Sequence, residues 1–339
     1  MRTLVALTAL AFALPAAAQE QPDYVPGQDI DKETKKEEAE KRPEGWSYKL
    51  NLGFNFSLSH SSNVVGVEDG STISVGGALD GEANFKSGQH EVLNRLGIQH
   101  TQSKNPAIDE FVKTVDNLEF RSMYMYSLES VPWLGPFARV RLQTAVLEGE
   151  FISGDPANLA ITDADGNVTM LSLQPQQAFD LTDPFEPLVL RQSGGAFARP
   201  INQKDLSLVI SAGLGAQEII SQGGFAVADN EDTADVIEVV EIQDSLQAGA
   251  EVELDVGGNL NTLVSWNLTA SVLYPFYTEA ETDLEGVELI NAEIGAKLSA
   301  KLAEWVSLDY VLTAKRIPLV LDDWQVTNGV LLTSAFNLL

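Results

Sequence analysis

The chain has no cysteine, three histidines, and 21 lysines and arginines against 49 aspartates and glutamates. Without cysteine there can be no disulfide, no zinc–thiolate centre and no lipid attached through an N-terminal thiol. So few histidines argue against a histidine-rich metal site. The shortage of cations excludes nucleic acid as a partner, because nothing is left to neutralise phosphates. Long apolar runs are missing too. The run at residues 3–14 falls short of the roughly 20 residues a membrane-spanning helix needs.

At the N-terminus that short run has another meaning. Arg2 precedes it, and Ala16, Ala17 and Ala18 follow it. Charge, apolar stretch and small residues in this order predict a signal peptide over 1–18, with Gln19 the mature start. Export without a membrane helix leaves a soluble periplasmic or secreted protein, a surface-anchored one, or an outer-membrane β-barrel. Residues 19–45 carry Glu37/Lys41 and Glu38/Arg42 at helical spacing, then Pro43 and Gly45. With no apolar face to bury, this segment reads as a charged periplasmic linker.

From Trp46 onward the pattern changes. In WSYKLNLGFNFSLSH, residues 46–60, every even position up to Leu58 is large and apolar, and polar or small residues fill the odd ones. A two-residue period is that of a pleated strand with two unlike faces. The same alternation recurs ten more times, as in Leu246-Ala248-Ala250-Val252-Leu254-Val256 and Val306-Leu308-Tyr310-Leu312-Ala314. Short and long connections alternate between these segments. That rule demands one further strand in PLVLRQSGGAFAR, residues 187–199, with Pro200 to Gln203 as its turn and a longer loop expected at 316–323. The expectation is an all-β fold over 46–339, a closed antiparallel transmembrane β-barrel of about 12 strands.

Strands this long suit a hydrocarbon layer, which takes about 9 to 11 tilted residues to cross. In hydrocarbon every backbone polar group must pair, so the sheet has to close. Trp46, Tyr48, Tyr124, Tyr126, Trp133, Trp305 and Phe336 fall near one predicted end of the strands, and Tyr274, Phe276 and Trp324 near the other. Two such belts are expected at membrane interfaces. The chain ends inside GVLLTSAFNLL, with Phe336 close to the terminus. This segment resembles the C-terminal strand signal of outer-membrane proteins. The Trp-initiated first strand, with Asn55-Phe56-Ser57 and then Ser62-Asn63 and Gly66, resembles the opening of an uncharacterised, porin-like outer-membrane β-barrel family of Gram-negative bacteria, a domain of unknown function. The resemblance implies a fold, an outer-membrane location, and lipid, lipopolysaccharide and the barrel-assembly machinery as partners. It brings no catalytic residues.

Three places are candidates for function. Parity turns Asp80, Glu82, Glu91, Arg95, Glu119, Arg121, Arg139, Arg141, Glu251, Glu253, Glu293 and Lys297 into the barrel. Arginines gather in the early strands and carboxylates in the later ones. Kept apart, they would set a transverse field across a water-filled pore; paired, they would plug it. The second place is a set of acidic loops. Residues 142–190 and 205–296 contain no lysine or arginine, and their carboxylates suggest Ca²⁺ or Mg²⁺ binding or a solvated, cation-attracting mouth. ITDADGNVTM, residues 161–170, looks like a calcium loop, but its glycine comes too early and a hairpin turn fits better. The third is a His-x-Ser pair, His60 and Ser62, with Asn328 on the strand that closes against the first. It resembles the catalytic set of outer-membrane phospholipases, where the histidine takes the serine proton. The leading expectation is a porin-like channel for small polar solutes, favouring cations. The alternatives are a non-conducting structural or surface-binding barrel and a phospholipase-like hydrolase.

Overall fold

The computed structural model describes residues 44–61, 70–203, 205–228, 233, 236–280, 282, 284–303, 306–319 and 321–337. The predicted signal peptide, and the predicted linker up to residue 43, lie outside them.

The described residues form eighteen strands: β1 (Gly45–Ser61), β2 (Gly70–Ser87), β3 (His90–Lys104), β4 (Val112–Tyr126), β5 (Leu134–Thr144), β6 (Gly149–Ile152), β7 (Ala157–Thr162), β8 (Val168–Leu173), β9 (Ala178–Thr182), β10 (Leu188–Gln203), β11 (Leu206–Ile220), β12 (Phe225–Val227), β13 (Ile237–Glu241), β14 (Ser245–Asn259), β15 (Val264–Thr278), β16 (Asn291–Ala303), β17 (Val306–Ile317) and β18 (Leu321–Asn337). The expected total of about twelve is therefore corrected. Twelve long strands form one closed ring in the order β1-β18-β17-β16-β15-β14-β11-β10-β5-β4-β3-β2. The other six are short strands inside two long connections. Closure is direct: β1 pairs antiparallel with β2 along its whole length and with β18 from Asn51–Asn337 to Asn55–Thr333.

Alternation decides which side chains face out. Trp46, Tyr48, Phe54, Phe56, Val140, Leu214, Val252, Tyr310 and Val326 are large, apolar and exposed on the outer wall. The residues that alternate with these outward ones along each strand turn inward, so Asp80, Arg139 and Asp309 are buried. This is a soluble protein's pattern inverted. At the rim with the short turns, Trp46 stacks on Tyr48 with ring centroids 5.9 Å apart and leans on Phe85 at 5.2 Å. The His90 imidazole hydrogen-bonds the Tyr124 hydroxyl at 2.7 Å. The side chain of Phe336, and Trp305 altogether, lie outside the described residues.

Two boundaries differ from expectation. β10 runs through Pro200 to Gln203, taking up the proline at a register shift between Ala198 and Ile201. Proline costs a strand one ladder hydrogen bond, which a bulge tolerates. The connection expected to be long at 316–323 is only 318–320, because β17 and β18 continue to Ile317 and from Leu321.

The six short strands make a subdomain on the long-loop rim. β12-β13-β7-β8 form one sheet and β6-β9 a second. β13 and β7 pair in parallel, whereas the other strand pairs among the described residues are antiparallel. Leu159, Leu173 and Val239 are its buried core, packed by Phe151, Ile161, Phe179, Leu181, Phe225 and Ile237. It is tied to the β3–β4 connection, where Gln176 Nε2 donates to the Ala107 carbonyl at 2.8 Å and the Asp109 N–H donates to Gln176 Oε1 at 2.9 Å. The Val146 and Leu147 N–H groups donate to Asp116 Oδ2 at 3.1 and 2.7 Å.

Candidate functional site

Four arginines stand in register on adjacent strands. Arg95 on β3 is the Cα partner of Arg121 on β4, Arg121 of Arg141 on β5, and Arg141 of Arg191 on β10. Like charges directly opposite one another destabilise a sheet, so this row needs carboxylates to hold it. The far wall supplies them in a matching row: Glu253 on β14, Ser271 on β15, Glu293 on β16 and Lys315 on β17 are successive partners.

The two rows meet across the lumen. Arg121 Nη2 lies 2.7 Å from Glu253 Oε1, four strands away round the ring. Arg139 reaches Glu253 Oε1 at 2.5 Å through Nη1 and Glu251 Oε1 through Nη2. Arg141 makes a two-pronged pair with Glu293, Nη1–Oε2 3.0 Å and Nη2–Oε1 3.2 Å, while its Nε lies 2.9 Å from Glu119. Glu293 is shared, since Arg191 Nη1 is also 3.4 Å from its Oε2. Arg191 is held in place by donating from Nε to Gln217 Oε1 at 2.5 Å. Charged groups taken this far from bulk water persist only when paired and hydrogen-bonded.

The remaining predicted lumen residues pair within a strand or with an adjacent strand, except Glu91 on β3, which reaches Arg199 on β10 three strands away. Arg95 binds Asp80 at 2.9 Å. Glu82 accepts from Asn84 Nδ2 at 3.3 Å. Glu91 lies 3.5 Å from Arg199. Lys297 and Asp309, both fully buried, sit 3.3 Å apart on neighbouring strands, with the Ser299 hydroxyl donating to Asp309 at 2.5 Å. Arg191, Arg199 and Asp309 belong to this network without having been singled out from sequence. Parity would have found Asp309, between Leu308 and Tyr310.

Sequence reasoning also missed an apolar patch inside the barrel. Met123, Met125, Phe137 and Phe197 are buried together with Leu93 packed on them. They sit toward the short-turn ends of β3, β4, β5 and β10. The Arg139 guanidinium lies over the Phe137 ring at 5.5 Å and that of Arg199 over Phe197 at 5.8 Å, an attraction that strengthens away from water. Elsewhere the lumen encloses a cavity of about 180 Å³. Gln99, Asn117, Gln143, Asn267, Thr269 and Ser271 supply its neutral hydrogen-bonding wall beside the charged rows.

The acidic loops give no metal centre among the described residues, where no three histidine, aspartate or glutamate side chains gather to hold an ion. Asp229, Glu231, Asp232, Asp235, Glu281 and Asp283 lie outside them. The 161–170 segment is a hairpin, with Thr162 paired to Val168. Asp163 closes its turn by accepting from the Asn167 and Asp165 N–H groups at 2.8 and 3.0 Å, and Gly166 takes the positive φ of 80°. The Asn167 side chain, followed by these backbone N–H groups, holds the Asp163 carboxyl below the usual carboxylate range. Ser62 and the side chains of His60 and Asn328, the predicted hydrolase set, lie outside the described residues.

No protein-family model matches the sequence, and no curated protein matches it. Among solved structures, the chain is similar to the translocator domain of the autotransporter NalP from Neisseria meningitidis, at 7% identity over 91% of this chain and 94% of that one, TM-score 0.37. It is similar to the COG4313 outer membrane channel from Pseudomonas putida F1, at 9% identity over 87% and 96%, TM-score 0.38. It is also similar to the P. putida toluene transporter TodX, at 12% identity over 87% and 88%, TM-score 0.31.

Proposed function

We propose that this chain is a Gram-negative outer-membrane β-barrel that serves as a narrow diffusion channel for small polar solutes, drawn tight at its waist by arginine–glutamate pairs. The location rests on the inverted wall. A closed ring with large apolar side chains outside and charge inside suits lipid, because it leaves no backbone edge unpaired in hydrocarbon. Aromatic rings at the short-turn rim suit the lipid headgroup level, and the outer leaflet of such a membrane brings lipopolysaccharide against the wall.

One observation carries the channel reading: the lumen is a polar cavity bounded by two opposed charged rows. A barrel needing only stability would gain from filling that space with packed apolar side chains, which replace buried ion pairs at no cost or at a gain. The waist is charge-balanced. Arg95, Arg121, Arg139, Arg141, Arg191 and Arg199 face Asp80, Glu91, Glu119, Glu251, Glu253 and Glu293. Discrimination by sign therefore falls to the acidic loops at the mouth, which favour cations. Purified protein in a planar bilayer is expected to give small currents with a reversal potential toward the cation value. The lack of any open state would end the reading.

The pairs that cross the lumen also favour a second reading, a non-conducting barrel that presents its rim subdomain at the cell surface. The Met123–Phe197 cluster supports it, since apolar packing inside the ring narrows the path further. The same bilayer recording separates the two.

A further inference from the structure

The rim subdomain ends in an unguarded strand. β8 is the last strand of the sheet β12-β13-β7-β8, and among the described residues it pairs with β7 alone. Its outer edge therefore presents a row of backbone donors and acceptors to any extended chain. Proteins commonly protect such an edge with a charge, a proline or a bulge. The β8 sequence VTMLSL has no charge and no proline, and its pairing with β7 shows no register shift. Val168 and Met170, on one face, are 62% and 59% exposed. On the other face Leu171 is partly exposed, next to Leu173 in the subdomain core.

The surroundings specify what would cover it. The two connections that build the subdomain, residues 145–187 and 221–244, hold fifteen aspartates and glutamates and no lysine, arginine or histidine. Residues 167–179, which contain β8, hold none of the fifteen. A neutral, apolar edge is thus set in a strongly negative field. A second copy of this chain would bring the same acidic connections, eleven of whose carboxylates lie among the described residues, against this edge, so self-pairing is opposed. A cationic chain is drawn in and oriented.

We propose that β8 is a docking edge for an extended cationic segment of a partner protein, which adds to the sheet as a fifth strand and lays alternate apolar side chains over Val168 and Met170. Main-chain bonds along the edge would give the affinity, and the alternate side chains the specificity. The proposal does not depend on whether the barrel conducts.

The test uses the full barrel in detergent micelles and a synthetic probe of two lysines, five alternating valines and threonines, and two lysines. A second probe has the same side chains but N-methyl groups on the amides that would pair. The first probe is expected to bind, more weakly as salt rises. The N-methylated probe, and the Met170→Lys variant with the first probe, are each expected to bind at least about tenfold more weakly. Met170→Ser, at the same exposed site and without a new charge, is expected to weaken binding by a smaller factor. Resistance of both sheets to protease checks that the variants fold. Equal binding of the two probes would mean charge adsorption only and would overturn the proposal, as would no binding at low salt. A micellar dimer abolished by Met170→Lys would give the edge to a second copy. Displacement of the probe by lipopolysaccharide would give it to lipid. Either result overturns the proposal as well.

Discussion

Arg141 and Glu293 hold opposite walls of the barrel together: five places apart in a ring of twelve strands, they join by two hydrogen bonds of 3.0 and 3.2 Å. Two-pronged guanidinium–carboxylate pairs fix geometry as well as charge. Since Arg191 uses the same carboxylate, one glutamate anchors two cations of the in-register arginine row.

Glu293→Gln therefore changes more than one charge. Arg141 keeps Glu119, but Arg191 loses its carboxylate partner and keeps the neutral Gln217. Conductance is expected to rise by about twofold or more, and selectivity to move toward anions, because arginine-lined constrictions pass anions. Stability should fall by about 3 kcal/mol, the scale of breaking one partner out of a buried pair. Bilayer reversal potentials and thermal unfolding in micelles read both effects. A variant that stays cation-favouring with unchanged conductance would place the narrowest point elsewhere.

Lys297 and Asp309 allow a separate check of the same physics. The pair is fully buried and spans neighbouring strands. Lys297→Met removes the ammonium group from the Asp309 carboxylate, to which the Ser299 hydroxyl still donates. The loss is expected to be about 3–5 kcal/mol, whereas Lys297→Met with Asp309→Leu should recover most of it. A double-mutant cycle on the unfolding temperature measures the coupling. If the double variant is no better than the single one, packing rather than charge governs the site.

The barrel was legible because its long strands hold a two-residue period. β1 keeps its even positions apolar from Trp46 to Leu58, and parity alone then turned Asp80, Arg139 and Glu293 inward. Two things were not legible. Parity says which way a side chain points but not which residue it meets across a ring, so the Arg141–Glu293 and Arg121–Glu253 pairs required the closed structure. The rim subdomain was hidden because its strands are three to six residues long, too short for a period. Its core also joins Leu159 to Val239 through a parallel pairing of distant segments. β10 read poorly for a different reason. Its Gly194-Gly195 breaks the alternation, and Arg191 and Arg199 were overlooked with it.

Those glycines are structural. Gly195 and Gly213 are direct partners on β10 and β11. A Cβ on Gly213 would run into the Gly194 carbonyl, and one on Gly195 into that of Ala212. The obstructing atoms are backbone, which cannot swing aside as a side chain can. Gly213→Val is therefore expected to block closure at this corner. Most of the protein should then fail to reach the heat-modifiable, protease-resistant barrel form. Gly97→Ala, at a position with open space around the added atom, is the control and should assemble normally. Equal yields from the two would show that the strands separate at little cost.

The rim subdomain has its own small core, and this predicts that it fails on its own. Leu159 is fully buried between Leu173 and Val239, with the Phe179 and Phe225 rings tilted against each other nearby, centroids 6.0 Å apart. Leu159→Ala removes three carbons from a close-packed site, a change that costs about 2–5 kcal/mol when the surroundings collapse only partly. The barrel wall shares no part of that core, and its ladder hydrogen bonds do not run through it. The variant should keep the heat-modifiable barrel, while amides of 157–173 and 237–241 exchange faster and protease cuts the two long connections. Hydrogen exchange followed by mass spectrometry resolves the two regions. Faster exchange in β1 to β5 as well would mean that barrel and subdomain unfold as one unit. The ties from Gln176 to Ala107 and from Val146 to Asp116 would then be strong enough to transmit the damage.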